Sequence, residues 1–111
     1  MACAITVVSV SGVGGVGLEA DSVTVKGTAE GCSRLKLTLA CEGDYREHFI
    51  DDPEAEWQYT FDDLPDCAIC GETVSVKAEC ERDPSCSDYL EGVLECTPPQ
   101  AECPTISEIL P

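Results

Sequence analysis

Two segments of this chain alternate apolar and polar residues, with Ala40 alone out of step, and each closes on a cysteine. In RLKLTLAC, residues 34–41, Leu35, Leu37, Leu39 and Cys41 fall on one side, with Lys36 and Thr38 on the other. In TVSVKAEC, residues 73–80, Val74, Val76, Ala78 and Cys80 oppose Ser75, Lys77 and Glu79. A period of two is that of a β-strand with one buried face; a helix would need 3.6, and no long helical stripe occurs. Trp57, Tyr59 and Phe61 share a parity, as do Val23 and Val25, and residues 5–10 are rich in β-branched side chains. With the weaker segments 45–50 and 89–96, the count reaches about seven short strands. Turn signals separate them: Gly12 to Gly17, Glu30-Gly31, Glu42-Gly43-Asp44, Asp52-Pro53, Leu64-Pro65-Asp66 and Asp83-Pro84-Ser85. The expectation is an all-β sandwich or barrel, and 111 residues are enough for one domain with one core.

Nine of the 111 residues are cysteine, a density at which a short chain reads as a disulfide scaffold. Such a framework is useful only in an oxidising compartment, so an extracellular or cell-surface location is expected. The opening MACAITVV lacks a basic region followed by a long apolar run, so no signal peptide is expected within this chain. No stretch approaches the roughly 20 apolar residues of a membrane helix, and membrane insertion is not expected. Lys and Arg number 6 against 22 Asp and Glu, for a formal charge of −16. A nucleic-acid partner needs a basic face for its phosphates, which this chain cannot supply. So much acid favours solubility and resists self-association. Its sharper use would be a cation site, with Asp51, Asp52 and Glu54 as calcium candidates and Asp62-Asp63 as a second group. Calcium favours clustered carboxylates, but no segment has the EF-hand spacing, and no other cofactor is expected.

Three motifs invite chemistry. Residues 12–17, Gly-Val-Gly-Gly-Val-Gly, fit the dinucleotide-binding pattern and follow a strand. That motif needs a helix next, to set its N-terminus against the pyrophosphate, and the β-rich Ser22-Val23-Thr24-Val25 follows too soon. A flexible connection is expected instead. Cys67-Ala68-Ile69-Cys70 has the spacing of a zinc knuckle or a redox pair, but lacks both a second close pair and a βαβ setting. His48, the only histidine, lies between Glu47 and Phe49 with no nucleophile motif nearby, and is expected as an exposed strand residue. No catalytic constellation emerges, and Trp57 is expected in the core with its alternating aromatic partners.

The order of these segments resembles the bacterial immunoglobulin-like repeat domains. Residues carrying the likeness are Val25-Lys26-Gly27-Thr28-Ala29, Leu35 to Leu39, Trp57 to Phe61, Asp63-Leu64-Pro65, Gly71 and Val74-Ser75-Val76-Lys77-Ala78. They cover roughly residues 5–96, and the cysteines depart from the usual pattern of that family. The resemblance implies a seven-stranded antiparallel sandwich over residues 1–97, followed by a tail, 98–111, that starts another repeat or is donated as a strand to a neighbour. Alternating strand directions then sort the cysteines by end of the sandwich. Cys3, Cys32, Cys80 and Cys86 fall at one end, and Cys41, Cys67, Cys70 and Cys96 at the other. In the second group Cys41 and Cys96 should each take one of Cys67 and Cys70. In the first, Cys32–Cys86 with Cys3–Cys80 is one choice and Cys80–Cys86 another, and the sequence leaves the pairing open. Cys103 remains, unpaired or intermolecular, in a context that echoes Cys3 one hundred residues earlier. The expected role is a structural or spacer module whose partners are neighbouring copies or domains of the same kind. A filament subunit joined through its tail and an Ig-like ligand-binding module are the alternatives.

Overall fold

A computed structural model describes residues 3–98. The expectations for the tail and for Cys103 lie outside the described residues. Among the described residues there are eight strands: β1 (Ala4–Val13), β2 (Ser22–Glu30), β3 (Arg34–Cys41), β4 (Asp44–Asp51), β5 (Glu56–Phe61), β6 (Thr73–Cys80), β7 (Asp83–Val93) and β8 (Cys96–Thr97). They form two four-stranded sheets, β5-β2-β1-β8 and β4-β3-β6-β7.

The two alternating segments become β3 and β6, neighbours in the second sheet, with Leu37 opposite Ala78 and Leu39 opposite Val76. Because side chains alternate, pairing in this register sets both apolar rows on one face. Val23 and Val25 of β2, Trp57 and Phe61 of β5, and Ile5 and Val7 of β1 supply the facing layer. Leu35, Leu37, Leu39, Val23, Val25 and Val76 have no solvent exposure. Each such side chain contributes about 1.5–3 kcal/mol on leaving water. Among the described residues no charged or polar side chain is buried, so the acidic excess lies on the outside.

Trp57 lies flat across β2 at its ladder partner Gly27. A Cβ at Gly27 would collide with the Trp57 ring and the Thr6 carbonyl oxygen, so the close approach of ring and backbone requires glycine there. Between β3 and β4 the chain reverses in two residues, Glu42 (φ 45°) and Gly43 (φ 85°). Two successive positive φ angles define the hairpin turn whose twist matches that of the strands.

Four expectations are corrected. Asp83-Pro84-Ser85 is strand, not turn; the reversal is made by Glu81-Arg82, and Cys86 lies inside β7 rather than between strands. Proline is tolerated there because β7 is an edge strand. In addition, the ladder is irregular at this point: Glu79 pairs with Ser87 but Cys80 with Asp83, which sets Pro84, Ser85 and Cys86 off it. The segment 89–96 is not one strand. It leaves the second sheet after Val93, buries Leu94, and joins the first sheet as β8. There Cys96 and Thr97 run parallel to Gly12 and Val13, so the sheets are not wholly antiparallel and the strand count is eight. His48 is half-buried rather than exposed. Its ladder partner Leu37 faces the core, and so does its ring, which stacks on Tyr59 at 3.7 Å between centroids. Tyr59 in turn meets Phe61 edge-on. As β4 and β5 are the edges of opposite sheets, this stack covers the core where the sandwich would otherwise open.

Candidate functional site

Four disulfides organise the points where the chain enters and leaves this body. Cys3, just before β1 in the first sheet, bonds Cys86 of β7 in the second, with Cα atoms 6.0 Å apart. Cys32, between β2 and β3, bonds Cys80 at the end of β6 (Cα–Cα 5.7 Å). Cys41, the last residue of β3, bonds Cys67 in the β5–β6 connection, and Cys70 of that connection bonds Cys96, the first residue of β8. For Cys3, Cys32, Cys80 and Cys86 neither pairing weighed from the sequence is the one formed. Cys80 lies opposite Leu35 in the β3–β6 register, which brings it beside Cys32. The irregularity in β7 releases Cys86 from the ladder toward the first sheet and Cys3.

The β1–β2, β5–β6 and β7–β8 connections are tied together through glycine and cysteine. Gly12 and Gly14 donate their N–H groups to the carbonyls of Glu95 and Thr97, each at 2.9 Å, and Gly17 donates to Cys70. Gly71 and Leu94 close the set by donating to Leu94 and Glu72. The glycine-rich segment therefore spends its N–H groups on the chain's own carbonyls, and a phosphate would find none of these three free. Gly12 has a further role: a Cβ there would stand 2.8 Å from Cys96 Sγ, so its absence admits the bridge. Cys67 and Cys70 go to different partners, which removes both sulfurs from zinc or thiol redox chemistry.

The calcium candidates do not converge. Asp51 pairs with Arg34 (3.2 Å), which also reaches Glu81 and covers the Phe49 ring. Asp52 sits at φ 48° with its N–H on the Ser33 carbonyl, and Glu54 lies in the following connection. Asp63 pairs with Arg46. Among the described residues no three His, Cys, Asp or Glu side chains come together in a way that could hold a metal ion. Arg46 is bound to Asp44 and Asp63 and donates to the Leu64 carbonyl, tying β4 to the β5–β6 connection. Burial works against its charge, but the hydrogen bond to Asp63 and the nearness of Asp44 and Asp63 outweigh it, holding the guanidinium above its ordinary value.

A depression of about 800 Å³ lies on the outer face of the second sheet over Thr38, Ala40 and Ser75, with Tyr45, Glu47 and Glu91 around it. His48 points away from it, into the sandwich. The hydroxyl of Ser75 donates to the Ala40 carbonyl at 3.4 Å, and Glu47 is paired with Lys36. The serine hydroxyl is spent on that carbonyl, and Glu91 lies opposite it in the β6–β7 ladder, so the depression is rimmed by carboxylates.

Two contacts had no signal in the sequence. Asp88 of β7 accepts a hydrogen bond from the Val7 N–H (2.8 Å), capping a β1 edge that no strand pairs between Ala4 and Ser11 among the described residues. The docking of β8 on Gly12 and Val13 is the other. No protein-family model, curated protein or solved structure matches the chain.

Proposed function

We propose that the chain is a structural spacer module of an extracellular or cell-surface protein, repeated in tandem or polymerised, with an immunoglobulin-like sandwich as its body. One observation carries the reading. The chain enters at Cys3 and leaves past β8, whose Cys96 lies beside Gly12, nine positions further along β1. At about 3.3 Å per strand residue the two points are about 30 Å apart, at opposite extremes of the first strand. Domains more often bring their ends close together. Opposite ends let modules be strung in line, and here each end is bonded to the body, by Cys3–Cys86 and by Cys70–Cys96. The sheet order supports the immunoglobulin-like reading: β5-β2-β1 faces β4-β3-β6-β7, as strands E-B-A face C′-C-F-G. Four disulfides fit an oxidising compartment, and a formal charge of −16 keeps copies from packing side by side.

The test is light scattering on the full chain over a rising concentration series, beside scattering from two copies joined in tandem. A monomer at every concentration, and a tandem longer by roughly one strand length, support the spacer. A compact side-by-side dimer sinks it. The uncapped stretch of the β1 edge favours one second reading, a filament subunit to whose edge a neighbour adds a strand. Elongated species that vanish when the chain is cut after Thr97 would favour that reading.

A further inference from the structure

We infer that the Cys3–Cys86 bridge takes nearly the whole fold off the load path, so that the module is an inextensible link when pulled by its ends. The inference rests on the spacer reading for the direction of load, and on bond connectivity for its magnitude.

Leaving aside the crossings inside the loop, tension entering at Cys3 has two routes to Cys96. One follows the backbone through β1 to β6. The other crosses the disulfide to Cys86 and runs ten residues down β7 and through Leu94-Glu95. The short route governs, because a covalent path cannot be stretched beyond its own length. Ten residues reach about 35 Å when fully drawn out. With the 6.0 Å between the bridged Cα atoms, the ceiling is about 40 Å, against about 30 Å in the folded state. β7 runs in the same direction as β1, because Cys86 near its start is bonded to Cys3 and its end leads to β8, which lies along the far end of β1, so the connecting segment is already close to taut. Everything between Cys3 and Cys86 is a closed loop hanging beside the load. Were the domain to unfold entirely, its ends would separate by only about 10 Å more.

The other bridges cannot substitute. Without Cys3–Cys86 the shortest covalent route runs from Cys3 to Cys32, across to Cys80, back to Cys70, and across to Cys96. That is 39 residues of backbone, about 150 Å with its two crossings, a gain of about 120 Å. With all bridges reduced, 93 residues separate the two points, and the gain rises to about 300 Å.

Single-molecule stretching of the full chain between handle domains at its two termini measures these lengths directly, and residues outside Cys3–Cys96 contribute equally to every sample. The oxidised protein should give no unfolding step longer than about 10 Å, Cys3→Ala/Cys86→Ala a step near 120 Å, and the protein held in reductant a step near 300 Å. A step of 100 Å or more in the oxidised wild type overturns the inference, as does a step near 10 Å in the double variant. If the double variant does not fold, the oxidised and reduced wild type decide the matter between them. Compact dimers in the light-scattering series would strike the spacer reading and leave these lengths untouched. A long step in the oxidised chain would strike the load path alone.

Discussion

At Gly27 a single methyl group would have to share space with the Trp57 ring and the Thr6 carbonyl oxygen. Neither can yield cheaply, since one is packed in the core and the other belongs to the β1–β2 ladder. Gly27→Ala should therefore cost about 2–3 kcal/mol, read as a lowered midpoint in urea unfolding. The stack of His48 on Tyr59 is a smaller matter: His48→Ala should cost about 0.5–1.5 kcal/mol, and His48→Phe should recover most of it. An equal loss in both variants would show that the stack contributes nothing. At this scale the sequence was legible where a residue's own parity decides its fate. Trp57 and Phe61 are buried as their alternation required. It was illegible where the deciding group sits on another strand. Nothing near Gly27 announces an indole ring, and nothing near His48 announces a tyrosine from the opposite sheet.

Strands β3 and β6 were readable almost residue by residue, because an antiparallel strand with one wet face writes its alternation into the sequence. The start of β7 was not. Asp-Pro-Ser is turn chemistry, and only the edge position and the broken ladder at Pro84 make it strand. β8 escaped for a different reason: two residues have no period, and their partner is a glycine-rich segment remote in sequence. The β3–β4 hairpin carries a local conflict, since Glu42 occupies a left-handed position that its side chain disfavours. Glu42→Asn, a residue suited to that turn, should stabilise the protein by about 0.5–1 kcal/mol in thermal or urea unfolding. Gly43→Ala at φ 85° should do the reverse by a similar amount.

At the scale of the whole molecule, the described residues combine one apolar core, four covalent cross-links and an acidic skin. Strand direction led to the expectation that Cys41 and Cys96 would each take one of Cys67 and Cys70, and they do, but it does not tell which sulfur meets which among Cys3, Cys32, Cys80 and Cys86. Cys41→Ala/Cys67→Ala opens a loop spanning 26 positions and should cost about 3.5 kcal/mol, checked by denaturant unfolding of the oxidised variant. The exposed ion pairs, such as Arg34–Asp51 and Lys36–Glu47, are worth at most about 1 kcal/mol each. They do not offset the mutual repulsion of a chain carrying −16. Raising sodium chloride from 10 to about 200 mM should therefore raise the melting temperature, because screening relieves more repulsion than it removes attraction. A fall would mean the pairs outweigh the excess. The opposite placement of Cys3 and Cys96 carries one more consequence, for genes rather than for molecules. If copies were joined in line, each would add a fixed increment of about 30 Å. The array would be a ruler, its reach set by the number of copies encoded, and duplication or loss of one unit would lengthen or shorten it by one graduation.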